Sequence, residues 1–177
     1  MTVVTRSMIS SIQTGANRLG GRTYIMNGLP EHFGESLVRI LLRENGKVMV
    51  VHPTAEPLDG LMANLEKSGI EPSRIRVVVA DTGDPEVCRH LVEGTVEAFG
   101  SLHGLINAGG RPGPQRMLED IPFSESDRLA NGDDATMFDA ARELLGGPWN
   151  MARAAAPHIA PGGVIVNVST IFSRTPY

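Results

Sequence analysis

The sequence predicts a doubly wound α/β domain built on a parallel sheet. Short apolar runs alternate with stretches of helical periodicity from Thr23 onward. The run Lys47–Val51 is apolar at every position after the lysine, as in a strand covered on both faces. The turns that follow the strand candidates are rich in Gly, Asn and Asp. Five strands and four helices are expected, with right-handed crossovers placing helices on both faces.

The first strand is Thr23–Met26, which runs into Asn27-Gly28. Phe33, Leu37, Val38, Leu41 and Leu42 then recur at helical spacing, and Asn45-Gly46 ends that helix, with Gly46 expected to take the left-handed cap. Lys47–Val51 is the second strand. Leu58, Leu61, Met62 and Leu65 mark a second helix that stops near Gly69. Ile75–Ala80 is the third strand. Asp84-Pro85 opens the third helix, because Asp accepts from free first-turn N–H groups and Pro fits the first helical position. That helix ends at Phe99-Gly100, and Gly104–Asn107 is the fourth strand. Arg111–Asp133 reads as loop. A long helix follows from about Ala135 to His158, kinked or broken at Gly146-Gly147-Pro148. Pro161-Gly162-Gly163 reads as a turn, and Val164–Val168 is a fifth strand.

Composition narrows the function. Of 177 residues, 41% are hydrophobic and 20% charged, which suits one globular domain and argues against disorder. Lys and Arg number 16 against 20 Asp and Glu, a net charge of −4, with no basic cluster for a nucleic-acid backbone. No apolar run approaches the ~20 residues that span a bilayer, and neither a membrane nor a nucleic-acid partner is expected. The single cysteine, Cys88, excludes an internal disulfide and points to a reducing, cytoplasmic setting. Residues 1–22 carry no signal-peptide pattern and read as a loose arm, with the domain proper over 23–177. The five histidines show no metal spacing, and no metal is expected. Cys88, the helical methionines and Trp149 read as packing residues. Glu143 and Asp133-Asp134 read as solvated or capping carboxylates.

In a doubly wound sheet, ligands bind at the carboxyl ends of the strands, at the switch point. Asn27–Gly34, His52, Asp81 and Asn107–Gly110 should therefore share one rim. Three segments there carry a pattern. The first turn reads Asn27-Gly28-Leu29-Pro30-Glu31-His32-Phe33-Gly34, with glycines where a tight turn and close helix–strand packing need them. The fourth strand ends Leu105-Ile106-Asn107-Ala108-Gly109-Gly110. The fifth reads Gly163-Val164-Ile165-Val166-Asn167-Val168-Ser169-Thr170.

In this order and spacing the segments resemble the short-chain dehydrogenase/reductase family, over roughly Arg22 to Thr170. The resemblance implies a Rossmann-like fold and an oxidoreductase that uses NAD or NADP on a small carbonyl or alcohol. It places Gly28, Leu29, Gly34, Asp81, Thr82, Asn107, Ala108 and Gly109 at the cofactor. It sets Thr170 where the family has its catalytic serine.

The sequence also departs from the family. His32 stands where the middle glycine of the loop belongs, and Pro30 removes a loop N–H. His52-Pro53 takes the place of the acid or arginine that reads the ribose, so NAD and NADP are not distinguished. With Gly147 aligned to the family's Asn-x-x-Gly, Leu144 occupies the Asn position and reads as core. The family's Tyr and Lys would follow Thr170 at a spacing that runs past Tyr177. Tyr177 has no Lys after it and is not the catalytic base. The chain by itself is therefore expected to be inactive in hydride transfer. Two further readings stand beside this one: a non-catalytic binding or regulatory subunit paired with a complete homologue, and a relative of the halohydrin dehalogenases. The sheet is expected to be incomplete on its C-terminal side, with the fifth strand at its edge, favouring a homo-oligomer or a complementing chain.

Overall fold

The computed structural model describes residues 17–31, 33–69, 72–109 and 145–169. Its elements in chain order are β1 (Thr23–Asn27), α1 (Gly34–Arg43), β2 (Lys47–His52), α2 (Ala55–Glu66), β3 (Ile75–Val79), α3 (Pro85–Phe99), β4 (Leu102–Asn107), α4 (Gly147–Ala155) and β5 (Ile159–Asn167). All strand pairs are parallel, in the order β3-β2-β1-β4-β5. The order reverses between β1 and β4, and this is the switch point at which such sheets open a crevice. The doubly wound parallel architecture expected from the sequence is the one observed.

Strand parity explains the two cores. Met26, Val48, Val50 and Ile106 face one side, where they meet Val38 and Leu42 of α1 and Leu58, Leu61 and Leu65 of α2. Ile25, Met49, Val51 and Leu105 face the other, against Cys88, Leu91, Val92 and Phe99 of α3 and Met151 and Ala155 of α4. Successive strand side chains point to opposite faces, so a strand covered on both sides must be apolar throughout. Truncating one of the fully buried leucines would cost about 2–5 kcal/mol.

The ends of α3 form as the sequence requires. Asp84 Oδ1 accepts from Glu86 N at 2.8 Å, Pro85 occupies the first turn, and Gly100 closes the helix at φ +88°. The end of α1 differs from expectation. Asn45, at φ +67°, takes the left-handed conformation, and Gly46 does not. Gly46 is needed instead for close approach, since a Cβ there would sit 2.9 Å from the Leu41 carbonyl oxygen. Asparagine tolerates the left-handed region, so the two residues exchange roles.

Two further expectations are corrected. Pro161-Gly162-Gly163 lies inside β5, and the pairing steps from Leu102↔Ile159 to Gly104↔Val164. The turn is absorbed as an irregularity of the strand, with Gly162 at φ +77°. Trp149 is 68% exposed and does not pack. Helix α4 buries Gly147, Met151 and Ala155, four residues apart, and Trp149 falls on the opposite face. The last described turn before His158 is a short 3-10 segment, Ala156–His158. The loop 111–133, the helix expected before Gly146, Leu144, Glu143 and Asp133-Asp134 lie outside the described residues.

The described end of the N-terminal arm is tied to the domain. Leu19 N donates to the Glu44 carbonyl at 2.9 Å, and Arg18 Nη2 meets Glu44 Oε1 at 2.9 Å. Lys47 N donates to the Arg22 carbonyl at 2.9 Å, leading into β1.

Candidate nucleotide cleft

The carboxyl ends of β1, β2, β3 and β4 enclose a cleft of about 190 Å³. Gly28, Leu29, His52, Asp81, Thr82, Ala108 and Gly109 all line it. The expected common rim is therefore present in space. Gly34 and Asn107 stand behind the lining, while His32, Gly110 and Thr170 lie outside the described residues.

Gly28 sets the shape. Its φ is +94°, and a Cβ on it would overlap the backbone of Gly109. Its N–H donates to the Val51 carbonyl at 2.8 Å, which fixes the turn against β2. Only glycine serves here, because the left-handed conformation and the backbone contact both exclude a side chain. Gly34 begins α1 and packs against Leu29, where a Cβ would come within 2.9 Å of Leu29 Cδ1. Its N–H donates to the Pro30 carbonyl at 2.8 Å, closing the loop onto the helix.

Helix α1 starts at this loop without a side-chain cap, since Phe33 supplies none. Its free first-turn N–H groups and dipole favour an anion there. Glu35 in that turn faces α2. It accepts from Asn64 Nδ2 at 2.9 Å and from Arg39 Nε at 2.7 Å, and these bonds hold its carboxyl below the usual range. The described lining contains one carboxylate, Asp81, one imidazole, His52, and no Lys or Arg. A phosphate ester in this cleft would thus rely on backbone N–H groups and the helix end. The glycine cradle and the uncapped helix fit such a group.

At the end of β2, His52 Nδ1 lies 3.1 Å from each of Thr54 N, Thr54 O and Thr54 Oγ1. The ring is held along the cleft wall by its own turn. Pro53 and Thr54 also line the cleft, and motif reading did not single out Thr54. Its position just before α2, as the residue preceding Ala55, was the available signal. At the end of β3, Asp81 Oδ1 accepts from Gly83 N at 2.8 Å, so it shapes the turn as well as lining the cleft. The Thr82 carbonyl accepts from Asn150 Nδ2 and from Cys88 Sγ, each at 3.2 Å. Cys88 is fully buried, and burial first, then Asp84 and Asp81, pushes its thiol up to about 11. It is a packed thiol rather than a nucleophile.

Beneath the cleft the ends of β1, β4 and β5 are joined by side-chain amides. Asn27 Nδ2 donates to Asn107 Oδ1 at 3.1 Å, and Asn107 Nδ2 donates to Asn167 Oδ1 at 2.8 Å. As an amide, Asn27 both donates, to Asn107, and accepts, from Thr82 Oγ1 at 3.3 Å, in this row. Among the described residues no helix is long and apolar enough to cross a membrane.

Residues 23–177 match the family model described as short chain dehydrogenase. A 7alpha-hydroxysteroid dehydrogenase of Bacteroides fragilis is 27% identical over 90% of this chain and 58% of its own length. A putative ketoacyl reductase of the granaticin polyketide synthase of Streptomyces violaceoruber is 30% identical over 86% of this chain and 56% of its own. Among solved structures, the N-domain of a bacterial malonyl-CoA reductase with NADP is 37% identical, at a TM-score of 0.76. That match covers 90% of this chain and 30% of the other. The chain spans about half the length of the curated relatives it matches.

Proposed function

The chain belongs to the short-chain dehydrogenase family, and from that premise we propose that it carries the nucleotide-binding half of an NAD(P)-dependent oxidoreductase acting on a small carbonyl or alcohol. The observation that carries this is the contact of Gly28 with Gly109 at the switch point, beside the uncapped start of α1. It leaves the backbone bare where a pyrophosphate has to approach. A bound nicotinamide supplies or accepts the hydride. This chain's part is to hold the phosphates on backbone N–H groups and to seat the rest of the nucleotide along His52, Asp81 and Thr82. Ala108 and Gly109 keep the space beside β4 open. Thr170 offers its hydroxyl to the substrate oxygen.

NADP is the better fit of the two nucleotides. The 37% identical N-domain was solved with NADP. The end of β2 presents His52 and Thr54, with no carboxylate to repel a 2′-phosphate. Isothermal calorimetry on the chain with NADP and NAD tests this, with NADP expected to bind at least tenfold tighter. Absence of binding by either nucleotide rejects the reading.

The chain as it stands has no Tyr-x-x-x-Lys, and it is expected to bind nucleotide without turnover. Oxidation of NADPH by residues 1–177 with a carbonyl panel, above a Thr170→Ala control, would overturn that. The likeness to the N-domain of a malonyl-CoA reductase makes malonyl-CoA the first substrate to assay in a protein that includes the Tyr and Lys. The domain proper begins at Thr23 and works in the cytoplasm. It associates through β5, either with a second copy or with a complementing chain. At this edge Val164, Ile165, Val166 and Val168 are exposed on both faces of the sheet.

A further inference from the structure

The row of amides below the cleft has a direction, and the carbonyl of Pro148 sets it. Asn107 Nδ2 lies 3.3 Å from that carbonyl oxygen and 2.8 Å from Asn167 Oδ1. A carbonyl can only accept, so the NH₂ end of Asn107 must face Pro148, because the reverse orientation would oppose two oxygens. Asn107 Oδ1 is then turned to β1 and must receive a donor, which is Asn27 Nδ2 at 3.1 Å. Asn27 Oδ1 is in turn left facing β3, where Thr82 Oγ1 donates to it at 3.3 Å. At the far end, Asn167 spends its oxygen on Asn107. Among the described residues its NH₂ meets no acceptor.

We propose that Pro148, acting through Asn107, imposes a single hydrogen-bond polarity on the chain Thr82–Asn27–Asn107–Asn167, so that the cleft end offers an acceptor and the β5 end offers a donor. Thr82 lines the cleft, and its hydroxyl proton is committed to Asn27. It can take only a ligand group that itself donates. Asn167 presents N–H groups at the rim of β5, two residues before Ser169, and takes an acceptor oxygen. Asn107, behind the cleft lining, and Asn27, which forms part of its floor, act here as positioning residues: the way their amides point decides what the two ends can recognise. Aligned hydrogen bonds in a buried row also polarise one another, which favours the one direction along the whole chain. The recognition at the cleft end rests on the nucleotide reading above, whereas the polarity itself does not.

The test therefore uses the chain without nucleotide. Asparagine-to-aspartate changes replace NH₂ by a second acceptor at nearly constant shape. Asn167→Asp keeps the oxygen that Asn107 donates to, so its Tm should stay within about 2 °C of the parent. Asn107→Asp puts a carboxylate against the Pro148 carbonyl and Asn167 Oδ1, and Asn27→Asp puts one against Asn107 Oδ1. Each should lower the Tm by roughly 5 °C or more, the size of shift a lost buried pair gives in a domain of this length. Side-chain amide exchange in the parent gives a second reading that does not depend on any variant folding. The NH₂ groups of Asn27 and Asn107 should be protected and that of Asn167 should exchange freely. A protected Asn167 amide, or an Asn167→Asp loss as large as that of Asn107→Asp, overturns the proposal. Loss of nucleotide binding with this pattern intact would reject the cofactor reading alone.

Discussion

Gly28 and Gly109 meet backbone to backbone where β1 and β4 end, with no room for a Cβ on Gly28. The contact joins the two strands that flank the switch point. Gly28→Ala combines a positive φ with a backbone overlap and should destabilise the domain by about 2 kcal/mol or more. Gly109→Ala has 3.3 Å to Asn27 O and Gly28 Cα and should be milder. Urea denaturation of both variants checks the order.

At the end of β2, His52→Asp places a carboxylate on the cleft wall. It should weaken NADP through repulsion of the 2′-phosphate and leave NAD unchanged or tighter. A change in the preference ratio of about tenfold, near 1.4 kcal/mol, is expected in paired calorimetric titrations.

The thiol of Cys88 has its pKa raised from 9.0 to about 11. A group with a raised folded pKa favours the folded state below its unfolded pKa, and that advantage is lost as pH rises. Stability should therefore decline between about pH 9 and pH 11, by on the order of 2 kcal/mol from this group. Denaturant midpoints across that range should show a smaller decline in Cys88→Ala. At pH 8 the native thiol should resist a thiol reagent until the chain unfolds.

Asp84 caps α3 through Glu86 N, at 2.8 Å. Asp84→Ala should cost about 1 kcal/mol, read as a lower urea midpoint with an unchanged slope. Asp84→Asn, which keeps the accepting oxygen, should recover most of it.

Val166 on β5 is 44% exposed at the sheet edge. If the chain associates through this edge, Val166→Lys should shift it to smaller species in size-exclusion chromatography with light scattering. An unchanged mass distribution would exclude β5 as the contact.

Much of this was legible in the residues. The apolar run after Lys47 announced a doubly covered strand, Asp84-Pro85 announced a helix start, and Gly28 announced a turn that excludes side chains. Each is a local property, set by backbone sterics or by alternation along a few residues, and each appears in the fold where the sequence placed it. Local reading failed where two neighbours could share a task, as with Asn45 and Gly46. It failed again where pairing outweighed turn propensity. Pro161–Gly163 looks like a break, yet the β4 edge draws it into β5.

The cleft divides in the same way. The sequence by itself determined which strand ends carry Gly28, Asp81 and Ala108-Gly109, because motif spacing and strand length are properties of the chain. Only the tertiary structure decided that Asn27, Asn107 and Asn167 stand side by side, that Pro148 orients them, and that Trp149 turns away from the core. Asn27 and Asn107 are 80 residues apart, and Asn107 and Asn167 are 60. The register of parallel strands and the seating of α4 bring them within hydrogen-bonding distance, and neither is encoded in any one segment.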